Sequence, residues 1–195
     1  MKENDIIEIA IKNNGYLYLQ IFKEYNIKSI YISRLVRKGK IIKVSPGIYV
    51  IPNTIVDDLF VNAIRFGGIV YSGDTALYLN LLSNRQYPEY EATIPYGTHV
   101  PQIKGFVIKQ TRDKNFNLGV VNVETSFGNI VRCYDRERCI CDLFIRPDNY
   151  DYEERVFAIN EYKNNYLNLD KLYDYANKLG ILKDVENVFE VIAWN

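Results

Sequence analysis

The sequence predicts an α+β protein in two parts. An N-terminal unit of short helices closed by a basic hairpin is followed by a mixed α+β domain with a helical tail. Three observations predict this. Residues 28–51 read as a helix, a glycine stop and a hairpin. Between Glu91 and Arg132, short β-rich runs are punctuated by glycine, proline and asparagine. From Asp151 onward, apolar residues recur at helical spacing. At 195 residues and 48% hydrophobic content, the chain can bury a real core, as one compact unit or two small ones.

The first helix is expected over Glu3–Ile11, with Ile6, Ile7, Ala10 and Ile11 at helical spacing before the stop Asn13-Asn14-Gly15. Leu17, Ile21 and Phe22 suggest a second short helix ending near Tyr25-Asn26. Ser29 is the expected N-cap of a third helix, because its hydroxyl can accept a bond from an orphan N–H of the first turn. In that helix Ile32, Leu35 and Val36 form an apolar stripe, which leaves Tyr31, Ser33, Arg34, Arg37 and Lys38 facing outward. Gly39 stops it, since glycine takes the left-handed conformation without a Cβ clash. Lys40–Val44 and Ile48–Ile51 are then strands around the turn Ser45-Pro46-Gly47.

Charge singles out this third helix and its hairpin. Lys28, Arg34, Arg37, Lys38, Lys40 and Lys43 fall within sixteen positions that contain no acidic residue. The chain is formally neutral, yet residues 1–55 carry nine basic and four acidic residues, a net +5, while residues 145–195 carry a net −4. Helix, helix, tight turn, basic helix and basic hairpin is the order of a winged helix-turn-helix, whose second motif helix enters the major groove of DNA. On that reading Arg34 and Arg37 suit guanine edges, where a guanidinium fork can bond O6 and N7 together. Tyr31 and Ser33 suit a thymine methyl, a base edge or a phosphate. Lys38, Lys40 and Lys43 suit phosphates. Ser29 at the helix start completes the set. Against this stands a plain solvated basic helix beside a hairpin.

Pro52-Asn53-Thr54 reads as a linker, so the expected domains are 1–52 and 56–195. After it come a helix over Val56–Phe66, a strand at Ile69-Val70-Tyr71, and a helix capped by Ser72 that runs through Leu82. Strands are expected around Ala92–Ile94, Gly105–Ile108, Val120–Val123 and Asn129–Val131. Asp135 should cap a helix with Ile140, Leu143 and Phe144 inward. The tail reads as helices over Asp151–Tyr162, Asn168–Leu179 and Asp184–Trp194, the last two parted by Gly180. Arg65, Lys104, Lys109, Arg112, Lys114, Arg132, Arg136 and Arg138 form either a second basic surface or scattered solvated charges. For Asp135, Arg136, Glu137 and Arg138, capping and ion pairing compete with a partner surface.

Catalysis finds little support. His99, the only histidine, lies in the loop Gly97-Thr98-His99-Val100-Pro101 without a visible partner. Cys133, Cys139 and Cys141 lack the paired C-x-x-C spacing of a zinc site, and an odd number of cysteines does not suggest a disulfide framework. Gly67-Gly68 followed by Asp74 faintly suggests a nucleotidyltransferase, but such enzymes need two carboxylates alternating on one strand, and Asp57 and Asp58 are adjacent on a helix. No catalytic residue, metal or cofactor is therefore expected. No apolar run approaches the ~20 residues of a membrane span, and Lys2–Glu8 mixes both charges, unlike a signal peptide. A cytoplasmic, non-membrane protein is expected.

Three motifs in order carry a family resemblance. Gly39-Lys40 through Gly47-Ile48-Tyr49-Val50 resembles the wing of the AbiE-type (AbiEi) antitoxins. Tyr71-Ser72-Gly73-Asp74-Thr75-Ala76-Leu77-Tyr78-Leu79 resembles that family's serine-to-alanine-leucine helix start, with Gly73 where histidine is common. Val131 through Asp142 resembles its tyrosine-aspartate…glutamate-arginine-threonine…cysteine-aspartate segment, with Cys139 where threonine is common. The tail pattern Leu169…Leu172…Tyr175-Ala176…Leu179-Gly180 also fits, so the resemblance spans nearly the whole chain. It implies a repressor that binds inverted repeats at its own promoter. It also implies that the C-terminal domain counteracts a nucleotidyltransferase-like toxin without a stable complex, as in type IV systems of abortive phage infection and plasmid maintenance. A monomer in solution that pairs on DNA is expected, because no coiled-coil seam is visible. Two alternatives use the same residues: a plain winged-helix repressor whose second domain binds a ligand or dimerises, and an interaction protein built on the 17 tyrosines.

Overall fold

The computed structural model describes residues 2–85, 87–98 and 103–193. The chain divides into two compact units, residues 1–67 with 124–130, and residues 68–123 with 131–195. His99 and Trp194 lie outside the described residues.

The first unit is a winged helix. Helix α1 (Glu3–Lys12) leads to a three-residue strand β1 (Tyr16–Tyr18), then to α2 (Leu19–Glu24) and α3 (Ser29–Arg37). The wing is β2 (Ile42–Ser45) and β3 (Ile48–Val50). The three strands form one antiparallel sheet in the order β1-β3-β2. Ile6, Ala10, Leu17, Ile21, Ile27, Ile32, Leu35 and Ile41 make its core. Pro46-Gly47 forms the wing turn, with Gly47 at φ +75°, the left-handed position that follows proline in a tight turn.

Four local expectations change. Leu17 lies in β1 rather than in a helix, and its backbone pairs with Tyr49. Ser29 is the first residue of α3 and not its N-cap; Lys28 holds that position and makes no side-chain cap bond. Ile11 and Val36 are exposed, because a short surface helix buries only a narrow stripe. The unit also continues past Pro52-Asn53-Thr54 through α4 (Asp58–Phe66), down to Gly67. Phe60 of α4 packs edge-on against Tyr16, ring centroids 4.9 Å apart, and Asp57 donates its backbone N–H to the Tyr16 hydroxyl at 2.7 Å.

The second unit is a five-stranded mixed sheet with helices. Strands β4 (Val70–Tyr71), β5 (Tyr90–Pro95), β6 (Phe106–Thr111), β7 (Val120–Glu124) and β8 (Ile130–Tyr134) lie in the order β6-β5-β4-β8-β7. Strand β4 is antiparallel to β5 and parallel to β8, while β5 and β6 are parallel. Helix α5 (Gly73–Leu79) follows β4. Ser72 precedes α5 but does not cap it; its hydroxyl bonds the Thr93 hydroxyl on β5 at 2.8 Å. After β8 come α6 (Arg136–Ile145), α7 (Tyr152–Asn165), α8 (Leu169–Leu179) and α9 (Leu182–Ala193). Asp135 caps α6 by accepting from the Arg138 N–H, and Gly180, at φ +76°, ends α8.

Residues 124–130 link β7 to β8 yet belong to the first unit. Asp57, 1% exposed, accepts from the Thr125 hydroxyl at 2.6 Å and from the Asn129 amide at 2.8 Å. Asn14 donates to the Gly128 carbonyl at 2.8 Å. Burying a carboxylate is tolerated where its oxygens are bonded in this way. The winged-helix unit is therefore discontinuous in sequence.

Candidate nucleic-acid interface

Helix α3 is the element on which the basic side chains are displayed. It enters through a tight turn in which Asn26 takes φ 52°, and the Ile27 N–H bonds back to the Phe22 carbonyl at 2.8 Å. Asparagine tolerates the left-handed region better than most residues. Buried Ile27 pins this turn to the core. At the far end Gly39, at φ +67°, lets the Lys40 N–H bond the Leu35 carbonyl at 2.9 Å, and the chain then leaves for the wing. Ile32 and Leu35 bury the inner side of the helix.

Ser29, Ser33, Arg34, Arg37, Lys38, Lys40 and Lys43 are all exposed. Tyr31 is not fully outward: it is half-buried and packs against the core. The cations differ in how free they are. Lys38 and Lys40 reach back to Glu3 of α1, at 2.8 and 3.4 Å. The hydrogen bond from Lys38 holds the Glu3 carboxyl below its ordinary range. Among the described residues, Lys28, Arg34, Arg37 and Lys43 have no acidic partner within ion-pair distance. Among the described residues the face thus keeps positive charge that no ion pair offsets, which favours anions nearby.

One residue on this face was absent from the expected contact set. Ile30 is 58% exposed, although isoleucine reads by default as a core residue. The helical wheel was the available signal, since Ile30 lies four positions before Arg34 and seven before Arg37.

The second set of basic residues does not form a single surface. Arg65 belongs to the first unit and stacks on Phe66. Arg112 lies over the Tyr96 ring at 3.7 Å, and Arg136 lies over Tyr166 while donating to the Asn80 carbonyl. Lys109 pairs with Glu91 at 2.8 Å. Arg138 is 6% exposed, so it is no surface cation. It donates to Asp142 at 2.9 Å and to the Asn115 and Leu118 carbonyls, and it lies near Asp113. Burial is the largest influence and works against its charge, but Asp142, Tyr134 and Asp113 together outweigh it and raise the guanidinium's pKa. Lys104, Lys114 and Arg132 remain exposed. Strands β6 and β8 are separated in the sheet by β5 and β4, which keeps Arg132 apart from the β6 edge.

Asp135 and Glu137 also have structural partners. Lys171 of α8 bridges them at 2.9 and 2.8 Å. Glu137 further accepts from the Tyr162 hydroxyl, and Asp135 from Tyr175. Capping and ion pairing thus occupy this segment. The three cysteines are buried, and burial pushes the Cys141 thiol up to about 12. Among the described residues, no group of three or more histidine, cysteine or carboxylate side chains is placed to hold a metal ion, and no helix is long and apolar enough to cross a membrane. The second unit does hold a polar cleft of about 70 Å³, whose lining includes Ser72, Glu91, Thr93, Lys109, Arg138 and Asp142.

Residues 4–52 match the family described as transcriptional regulator, AbiEi antitoxin. This segment is similar to the regulators of that family. The match covers α1 through the wing, so the basic face of α3 lies inside the matched segment. The matched family is one of regulators rather than enzymes. No curated protein matches the chain in sequence. In fold, the chain is similar to the crystal structure of the RV2827C protein from Mycobacterium tuberculosis. That likeness has a TM-score of 0.54 at 10% identity, over 87% of this chain and 69% of that one. At such identity the likeness speaks for the α+β fold alone.

Proposed function

We propose that the protein is an antitoxin that represses its own operon, with residues 1–52 reading double-stranded operator DNA at inverted repeats. Residues 56–195 then oppose a nucleotidyltransferase-like toxin without forming a stable complex with it. The observation that carries this reading is the face of α3. Arg34 and Arg37 stand exposed, without an acidic partner among the described residues, within a segment that matches AbiEi-type regulators. Arg34 and Arg37 would read base edges, Ser29, Ser33 and Tyr31 would make supporting contacts, and Lys38, Lys40 and Lys43 would hold phosphates. The protein acts in the cytoplasm, is monomeric in solution, and pairs on DNA.

The test is a titration of the full chain on DNA from upstream of its own gene, across a salt series. Specific binding that weakens steeply with salt is expected. In parallel, co-expression with the neighbouring toxin gene should restore growth. Restoration should persist when Arg34 and Arg37 are replaced by alanine. Loss of both activities in that variant would refute the division of labour.

The polar cleft favours a second reading, a repressor whose second unit binds a small polar ligand. Its Lys109 and Arg138 are already paired with Glu91 and Asp142, which limits the charge available to an anion. A neighbouring frame that encodes no toxin would favour this reading.

A further inference from the structure

Ile30 sits at the middle of the outward face of α3. Successive residues of a helix are about 100° apart, so buried Ile32 and Leu35 fix the direction of the core. Ile30 projects almost opposite that direction. Arg34 and Arg37 flank it within about 40°, and Ser33 lies further to the Arg37 side. Ser29 and Val36 fall on one shoulder of the helix, and Tyr31 and Lys38 on the other. Ile30 is 58% exposed, and the unit's core is closed by other residues. A single exposed isoleucine is ordinary. This one, however, stands at the centre of a face whose neighbouring arginines have no acidic partner among the described residues.

A helix seated in the major groove turns the middle of its outer face toward the base edges. The one apolar group those edges present is the C5-methyl of thymine. We propose that Ile30 is a specificity-determining residue that packs on a thymine methyl, next to a guanine read by Arg34. Four helical positions rise about 6 Å, close to two base-pair steps of about 3.4 Å. The thymine and the guanine therefore lie within two base pairs of each other in each half-site. The inference rests on the DNA-reading role of α3.

The test replaces each operator thymine in turn by deoxyuridine, which keeps the base pair and removes only the methyl group. Each guanine near it is replaced by 7-deazaguanine, which removes the N7 acceptor. With the wild-type chain, one uracil substitution per half-site should weaken binding about 3- to 10-fold, the value of a buried methyl contact. It should lie within two base pairs of the guanine whose N7 matters to wild type but not to Arg34→Ala. Ile30→Ala should bind the thymine operator more weakly by a similar factor and be indifferent to that uracil, with an unchanged salt slope. Its thermal unfolding should match wild type, since the position is exposed and alanine favours helix. Specific binding with every uracil neutral, or with equal uracil losses in Ile30→Ala, overturns the proposal while DNA reading stands. Absence of specific binding in the wild-type chain removes both.

Discussion

Asn129 donates its amide to the buried carboxylate of Asp57 at 2.8 Å, across 72 positions of sequence. The Thr125 hydroxyl bonds the same oxygen, and the other oxygen accepts from the Phe60 N–H at the start of α4. Asp57→Ala would leave a buried hydroxyl and a buried amide without their acceptor, a loss of about 2–4 kcal/mol. Urea unfolding of the full chain measures it. Thr125→Val, which removes one donor, should cost about 1 kcal/mol. A loss below about 0.5 kcal/mol in Asp57→Ala would show that the first unit stands without this network.

Arg34 and Lys43 should fail differently. Arg34→Ala should cost about 1–3 kcal/mol on the preferred operator and relax the preference at one base pair. Lys43→Ala should weaken all sequences alike and reduce the salt slope by about one. Binding to a panel of single-base operator variants at several salt concentrations separates them. Equal, sequence-independent losses in both variants would contradict the assignment.

Glu3 holds two of the cations that the interface would use, Lys38 and Lys40. Glu3→Gln should release them and remove a negative charge from beside the proposed interface. Affinity for any duplex should rise about 2- to 5-fold at low salt and converge with wild type as salt increases. Stability should change little, because exposed ion pairs contribute little.

Asp74, in the first turn of α5, has a buried oxygen without a hydrogen-bond partner among the described residues. Burial, with Glu154 and Glu91 nearby, raises its pKa from 3.8 to about 7. Between those values the folded chain holds a proton that the unfolded chain has released, so stability falls as pH rises through that window. Asp74→Asn should therefore gain on the order of 2 kcal/mol at pH 8 and little at pH 4. Thermal unfolding of both proteins from pH 4 to 8 tests the slope.

The sequence made the third helix and wing readable because their signals are local. Gly39 and Pro46-Gly47 impose their turns through backbone chemistry within a few residues. Asp135 and Gly180 as helix ends were readable for the same reason. Leu17 was not, because a three-residue strand has too short a period to detect and its partner lies some thirty residues away in the wing. Ion pairing and a basic surface stayed open for Arg138 in sequence, because Asp113 and the Asn115 and Leu118 carbonyls reach it from another part of the chain. The partial neutralisation of Lys38 by Glu3 spans 35 positions and was equally hidden. Ile30 lies on the outward side of the helical wheel, but an isoleucine carries no charge or turn signal that marks it as more than a core residue.

The split membership of the first unit limits how this protein can be cut and rejoined. Residues 124–130 travel in the gene with the second unit, yet they complete the first. A gene fusion that carries only residues 1–67 to another effector leaves the acceptor at Asp57 facing its missing donors. Shuffling between relatives at the wing or at Gly67 would pair an Asp57 from one parent with a Thr125-Asn129 loop from the other. Viable hybrids should accordingly inherit both segments from one parent, so the regulator passes on as a matched pair of segments rather than as a portable head.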